Sequence, residues 1–233
     1  MSRYTFQHVT DRQTLLAVGR LRYEVFIEER GCLLPEAAHD NRLLLDSLDE
    51  EIMTKGSESG VIIAAYQKDE LAGTVRINSF CPATQLYQNL YKADRFHLTE
   101  DDSPFITTRL CTDRSHRNSH LGIALIKEAY KAGLEQHITI NFSDCNEPLL
   151  RLFKRFGFRE YTSPVVHPGF GLIYPFVLLM EDTAHFTAIR SPFLQYESMV
   201  QADLPSLSRL RARIRTLQHT YSSSNPVLHE HNT

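Results

Sequence analysis

Apolar positions along the chain alternate between a period of two and a period near 3.6, and the changes of period mark its elements. Residues 4–9 read as a first strand. Thr10-Asp11-Arg12-Gln13 then fits a capping box, and Leu15, Val18, Arg22, Val25, Phe26 and Glu29 recur at helical spacing, which predicts a long helix ending near Gly31. Residues 60–66 and 71–77 flank a polar connection as a strand pair. Residues 78–104 hold a short helical pattern at Leu86, Tyr87, Leu90 and Tyr91 and a turn, and read as a lid or wall. Residues 105–111 form a strand. An Arg- and His-rich loop follows, and then a helix with Leu121, Leu125, Ile126, Ala129 and Tyr130 on one stripe. Residues 137–142 alternate as a half-buried strand, expected beside 105–111. Asn146 is placed to cap a helix that carries Leu149, Leu152, Phe153 and Phe156 and stops at Gly157, and residues 174–180 supply the last core strand. Asp203 is placed to cap an amphipathic helix bearing Leu204, Leu207, Leu210, Ile214 and Leu217, with arginines at 209, 211, 213 and 215 on its flanks; residues 222–233 read as unfolded.

Composition excludes more than it selects. With 233 residues, 42% hydrophobic and 23% charged, the chain has the profile of a globular protein of one domain, or one domain with an extension. A net charge of −3 argues against general nucleic-acid binding, and no apolar run reaches a membrane span of roughly 20 residues. The start of the chain lacks a signal-peptide core, and Cys32, Cys81, Cys111 and Cys145 show no metal or disulfide spacing, so a reduced, cytoplasmic protein without a metal is expected. The pair His229 and His231 falls in the polar tail.

Two places carry candidate chemistry. Arg22 shares a stripe with core residues. Either its stem covers the core edge and its head snorkels to water, or its guanidinium binds a carboxylate or orders an acidic pair, for which Asp46 and Asp49 in the 40–51 loop are the candidates. Arg114, Arg117 and His120 precede a helix N-terminus, where unpaired N–H groups and the dipole favour an anion such as a pyrophosphate; a solvated connection is the alternative.

An Arg-x-x-x-Leu-Gly loop from Arg117 to Gly122, followed by Asn-x-x-Leu-x-x-Leu-Phe-x-Arg-Phe-Gly-Phe from Asn146 to Phe158, resembles the GNAT acyltransferase superfamily. That resemblance implies an acyl-thioester donor whose pyrophosphate sits in the loop. It assigns donor binding to Leu110, Cys111, Thr112, Arg117, Asn118, Ser119, His120, Leu121, Gly122 and Asn146. It also implies two central strands splayed around a pantetheine arm. His120 departs from the pattern, which has Gly there, and Phe153 stands where the family has a proton-donating Tyr. Residues 21–26 (Leu-Arg-Tyr-Glu-Val-Phe), 46–49 (Asp-Ser-Leu-Asp), 73–76 (Gly-Thr-Val-Arg) and 108–110 (Thr-Arg-Leu) follow the order seen in acyl-homoserine-lactone synthases and N-acyl amino acid synthases. By that resemblance Arg22, Phe26, Asp46, Asp49, Arg76 and Arg109 build the acceptor side. Ile106 stands where those families usually carry a Glu that receives the amine proton.

The expected fold is therefore α/β (α+β): a GNAT-like mixed central sheet with splayed central strands flanked by helices, plus a C-terminal helical extension. Residues 1–182 form the acyltransferase domain, 183–221 the extension and 222–233 a tail. The expected activity is transfer of a medium or long acyl chain from acyl carrier protein, or CoA, to the amine of an amino acid or related small molecule. A short-chain acetyltransferase and a non-catalytic thioester- or partner-binding domain are the alternatives. The expected catalytic set is Asp46, Asp49, Arg22, Arg76, Thr108 and Arg109, with backbone N–H groups near residues 108–111 polarising the carbonyl and the two loop aspartates preferred as base over Asp113 and His116. A covalent route through Cys111 or Cys145 is set against small buried thiols. Phe80, Leu86, Leu90, Tyr91, Phe96, Phe105, Phe142 and Phe153 line an acyl tunnel or form plain core. The basic flanks of the last helix either pack on the domain or dock an acidic carrier protein.

Overall fold

The computed structural model describes residues 3–200 and 205–224. After β1 (Thr5–His8), Asp11 rather than Thr10 starts α1 (Arg12–Arg22), because its carboxylate accepts the Thr14 N–H at 2.8 Å. The helix does not end at Arg22 but widens into π-helical turns over Tyr23–Glu29, and Gly31, at φ 65°, turns the chain away. Two short strands, β2 (Ala37–Ala38) and β3 (Leu43–Leu44), pair with each other before α2 (Ser47–Lys55). The segment read as an acidic loop is thus partly helical: Asp46 is the cap of α2 and Asp49 completes a capping box with it. The hairpin follows as β4 (Gly60–Gln67) and β5 (Glu70–Ser79), then α3 (Gln85–Leu90), β6 (Pro104–Thr112) and α4 (Leu121–Glu135).

The next strand, β7 (Ile140–Cys145), begins three residues later than its alternation predicts. His137, at φ 54°, ends the preceding helix, and the Ile138 N–H folds back to the Gly133 carbonyl at 3.0 Å, so the chain is free to extend only afterwards. Asn146 makes no side-chain cap. A 3₁₀ turn over Glu147–Leu149 intervenes, and α5 (Leu150–Phe156) is correspondingly short. Two strands without a clear period in the sequence come next, β8 (Arg159–Glu160) and β9 (Val165–His167). The last core strand follows as β10 (Gly171–Leu179), starting three residues before its expected onset, and α6 (Thr183–Ile189) and a 3₁₀ run over Pro192–Met199, again without a clear period, come after it. The last helix, α7 (Pro205–Ser224), continues past Ser222, where an unfolded tail was expected; Asp203, Leu204, His229 and His231 lie outside the described residues.

The sheet runs β1-β4-β5-β6-β7-β10-β8, with β9 on β10. All its neighbours are antiparallel except β6 and β7. Those two parallel strands pair only at Pro104↔Ile140, Phe105↔Asn141 and Ile106↔Phe142. Beyond that point β6 stays with β5, β7 stays with β10, and the centre of the sheet opens as expected for splayed strands. A core of Leu121, Leu125, Phe153, Phe156, Phe176 and Phe193 fills the α4–α5 side. A second core includes Phe96, Phe142, Tyr161 and Leu179 and is covered by Leu210, Ile214 and Leu217 of α7, each fully buried and worth about 1.5–3 kcal/mol. Of the basic flanks, Arg209 pairs with Asp102, Arg211 with Asp182, and Arg213 donates to the Arg95 carbonyl, while Arg215 stays exposed. No helix among the described residues is long and apolar enough to cross a membrane.

Candidate active site

The acidic pair and the inward arginine meet. Arg22, at the junction of α1 and its π turns, donates from Nη1 to Asp49 Oδ1 at 2.8 Å, and neither side chain has any exposure. Arg76 on β5 reaches the same Asp49 oxygen at 2.9 Å and grips Asp46 with both terminal nitrogens, at 2.5 and 3.0 Å. Its Nε donates to Thr108 Oγ1 at 3.2 Å, tying the cluster to β6. Arg109 donates to Asp46 Oδ2 at 3.0 Å, pairs with Glu36, and lies 5.6 Å from the Phe170 ring centroid. Four of the expected catalytic residues are therefore joined through shared carboxylate oxygens, and Thr108 and Arg109 complete the set. Burial alone would raise the Asp46 pKa, but Arg76, then Arg109 and Arg22, more than offset it and hold the carboxyl well below the usual range. Such a group anchors cations and is a poor base. The snorkelling alternative for Arg22 is overturned, because its head is enclosed and its Nε and Nη2 have no partner.

Arg109 also distorts its own strand. Thr74↔Cys111 and Arg76↔Thr108 place one residue of β5 opposite two of β6, so Arg109 and Leu110 form a bulge, with Arg109 at φ 56°. A non-glycine residue there costs about 1–3 kcal/mol and is held only by its surroundings. Here the bulge lies where β6 has left β7. A cleft partly open to solvent passes through this gap. Thr107, Thr108, Asn141, Ser143 and Asp144 give it polar walls between the strands, Tyr87 and Phe170 stand on the cluster side, and Ile126, Ala129, Phe153, Phe158, Leu178 and Phe193 form its apolar end beneath α4 and α5.

This placement corrects the expected tunnel. Phe80, Leu90, Tyr91, Phe96 and Phe142 pack in the α7-side core, Phe105 lies in the α4-side core and Leu86 is exposed; of the eight, only Phe153 lines the cleft. Periodicity did not separate these readings, because both cores draw on the same strands from opposite faces. Of the cleft's apolar lining, the sequence marks Ala129 and Phe158 only as part of a helical stripe and of the second motif, and Leu178 and Phe193 carry no sequence signal beyond being apolar. Acidity argues against a thiolate route: Cys145 lines the cleft, but burial pushes both the Cys111 and Cys145 thiols up to about 12.

Of the residues expected to bind the donor, Leu110 and Asn146 line the cleft and Cys111 is buried. Ser119, not His120, caps α4: its hydroxyl accepts the Leu121 N–H at 3.1 Å and donates to the His116 carbonyl at 2.5 Å. Asn118 takes φ 60° to make that turn. Arg117 pairs with Glu29 of the π segment and reaches the Thr112 carbonyl at 3.4 Å, so an anion entering here competes with Glu29. Asp113 caps Ser115, and His116 is buried against Tyr4, which leaves neither facing the cleft. The exposed His120 contributes its carbonyl to Ala124 N–H at 2.9 Å, while the first-turn N–H groups of Gly122 and Ile123 have no intrahelical acceptor. A Cβ built on Gly122 meets nothing within 4 Å. Gly122→Ala is accordingly expected to stabilise the fold by about 0.4–1 kcal/mol while weakening binding of a CoA-type donor, measured by thermal unfolding and by the KM for the donor. A loss of stability would show that the space is not open.

A family model for the N-acyl amino acid synthase FeeM matches residues 17–182. The structure of FeeM, an N-acyl amino acid synthase from uncultured soil microbes, is similar with a TM-score of 0.62 at 14% identity, covering 83% of this chain and 97% of that one. BjaI, a CoA-dependent acyl-homoserine lactone synthase solved with SAM and isopentyl-CoA, gives 0.57 at 19%, covering 91% and 97%. An acyl-CoA N-acyltransferase from Pseudomonas aeruginosa gives 0.50 at 16%, covering 75% and 97%. At these identities the likeness speaks for the GNAT fold. No curated protein sequence matches the chain.

Proposed function

The chain belongs to the FeeM N-acyl amino acid synthase family and is an acyltransferase, and from that premise we propose that it moves a medium or long acyl chain from a thioester on acyl carrier protein or CoA to the amine of an amino acid. The cleft carries the proposal: it joins the arginine–carboxylate cluster to an apolar chamber through the gap between the splayed strands. The acceptor's carboxylate is drawn to the cluster, where Arg109 Nη1 is buried without a partner. The acyl chain occupies the end formed by Ala129, Phe153, Phe158, Leu178 and Phe193. The thioester then lies at the bulge, where Arg109 and Leu110 fall outside the regular β5–β6 register and their backbone N–H groups polarise its carbonyl; a well-placed donor of this kind is worth about 2.7–4 kcal/mol. The description of FeeM as an N-acyl amino acid synthase and of BjaI as CoA-dependent supports an amine acceptor and a thioester donor.

The reaction needs three things of the chain: a neutral amine, a polarised carbonyl and a route for the thiolate's proton. The bulge serves the second. Phe153, in place of a phenol, gives up proton donation to the thiolate and adds apolar wall to the chamber, where it packs 4.9 Å from Phe158. The test is mass spectrometry of small molecules from a strain expressing the chain, beside one expressing Arg109→Ala. Long-chain N-acyl amino acids should appear only with the intact protein. Acetylated products alone would point to short-chain transfer, and no acylated amine at all to a non-catalytic domain.

A further inference from the structure

Neither the ion-paired aspartates nor the buried Ile106 suits the task of taking a proton from the incoming amine, yet the cleft contains one carboxylate free of ion pairs. Along β7, Ile140 and Phe142 belong to the α7-side core together with Ile106, and strand alternation puts Asp144 on that same face, one step beyond the last β6–β7 pair. Asp144 is therefore the first residue of that face to open onto the gap, and it lines the cleft. Among the described residues its one side-chain hydrogen bond comes from the Tyr91 hydroxyl, at 2.5 Å to Oδ1. No lysine or arginine pairs with it in the manner of Asp46 and Asp49.

We propose that Asp144 is the general base of the acyl transfer, accepting the acceptor's ammonium proton from across the gap opposite the bulge. The assignment rests on the acyltransfer reading above. In the step, Asp144 takes one proton from the ammonium; the neutral amine attacks the thioester carbonyl, forming the C–N bond while the carbonyl oxygen becomes an oxyanion at the bulge. Collapse reforms the carbonyl and breaks the C–S bond, and the thiolate takes the second nitrogen proton.

The surroundings suit the task. Burial raises the Asp144 pKa, against lowering by the Tyr91 hydrogen bond and by Arg109, to about 6. Besides Arg109, which stays charged, the titratable groups facing it are Tyr87, Tyr91, Tyr161 and Cys145; burial raises the three phenols and pushes the Cys145 thiol up to about 12, so all four stay neutral while Asp144 titrates. A base must be ionised to act, so kcat/KM should rise with pH through about 6 and level off above it. Because the folded-state pKa is raised, ionisation of Asp144 costs stability as pH rises through that value, and Asp144→Asn should be no less stable than the parent at pH 8.

The experiment compares the parent, Asp144→Asn and Tyr91→Phe, with octanoyl-CoA and octanoyl carrier protein as donors. The acceptors are a mixture of the twenty amino acids or, separately, hydroxylamine, which is already neutral at pH 7. Asp144→Asn should lower amide formation by about 10²–10⁴-fold but leave hydroxamate formation within a few-fold of the parent. Tyr91→Phe should shift the acid limb to higher pH with the plateau retained. Equal losses with both acceptors, a loss of stability at pH 8, or amide formation by Asp144→Asn within tenfold of the parent would overturn the assignment alone. A parent that forms no amide from any amino acid overturns the acyltransfer reading, and the assignment with it.

Discussion

Asp49→Ala is expected to lower the stability of the protein by about 3–5 kcal/mol, because it strips the counter-ion from a guanidinium that water cannot reach. Arg22 and Arg76 have fully buried side chains; Arg22 donates to Asp49 Oδ1 and Arg76 forms an ion pair with the same oxygen. Its Oδ2 accepts the Asp46 N–H at 3.0 Å, so the substitution also undoes the capping box of α2. Arg22 would keep its charge with no carboxylate against it. For a chain of this size about 2–4 °C accompanies each kcal/mol, so the midpoint of thermal unfolding, followed by circular dichroism, should fall by about 6–20 °C. Asp49→Asn keeps hydrogen-bonding capacity and should lose less. Arg22→Met with Asp49→Leu removes both charges and should recover much of the loss, since apolar replacement of a buried pair is often neutral. A drop below 1 kcal/mol for Asp49→Ala would mean that the cluster is solvated in a way its geometry denies. The same network sets the acid limit of the fold. The Asp46 pKa is lowered in the folded state, so its contribution is full above the ordinary aspartate range near 4 and is lost as pH falls below it.

What was legible in the sequence follows from what each element depends on. The hairpin, the central strands and the helix behind the loop rest on local periodicity, and these carried over; the splay of the sheet was expected only from the resemblance to GNAT enzymes, and it too is present. Arg22 was legible as an anomaly, a charge on an apolar stripe, and the structure resolves it as half of a buried pair. The role of Arg109 was legible only through resemblance. Its positive φ and the extra residue in β6 arise from pairing with β5, which no local pattern in the sequence encodes. Asp144 was missed for a related reason. A strand read as 137–142 stops short of it, and only the onset of β7 at Ile140, set by the turn at His137, places the carboxylate in the gap. The tunnel was misassigned because an aromatic residue on a strand looks alike whichever face of the sheet it occupies.

The acyl chain sets the last expectation. Each methylene buried in the chamber contributes about 0.8 kcal/mol, so the six that separate octanoyl from acetyl amount to about 5 kcal/mol, a preference of about 10³-fold in kcat/KM if all are covered. Ala129 is the position to test. It sits on α4 at 7% exposure and lines the apolar end of the cleft together with Phe153, Phe158 and Phe193. A phenyl ring there takes up space that the distal methylenes need while leaving the bulge and the ion cluster untouched. Ala129→Phe should therefore cut turnover of octanoyl donors by at least about tenfold, one to two methylenes' worth, with acetyl transfer unchanged. Unchanged acetyl transfer also guards against a misfolded variant, since overpacking that disturbed the sheet would lower both. The measurement is a chain-length series from acetyl to decanoyl at fixed acceptor, run on both proteins. A parent optimum at acetyl would reject the chamber as an acyl site. An optimum at long chains that Ala129→Phe fails to shorten would place the acyl chain along a different wall of the cleft.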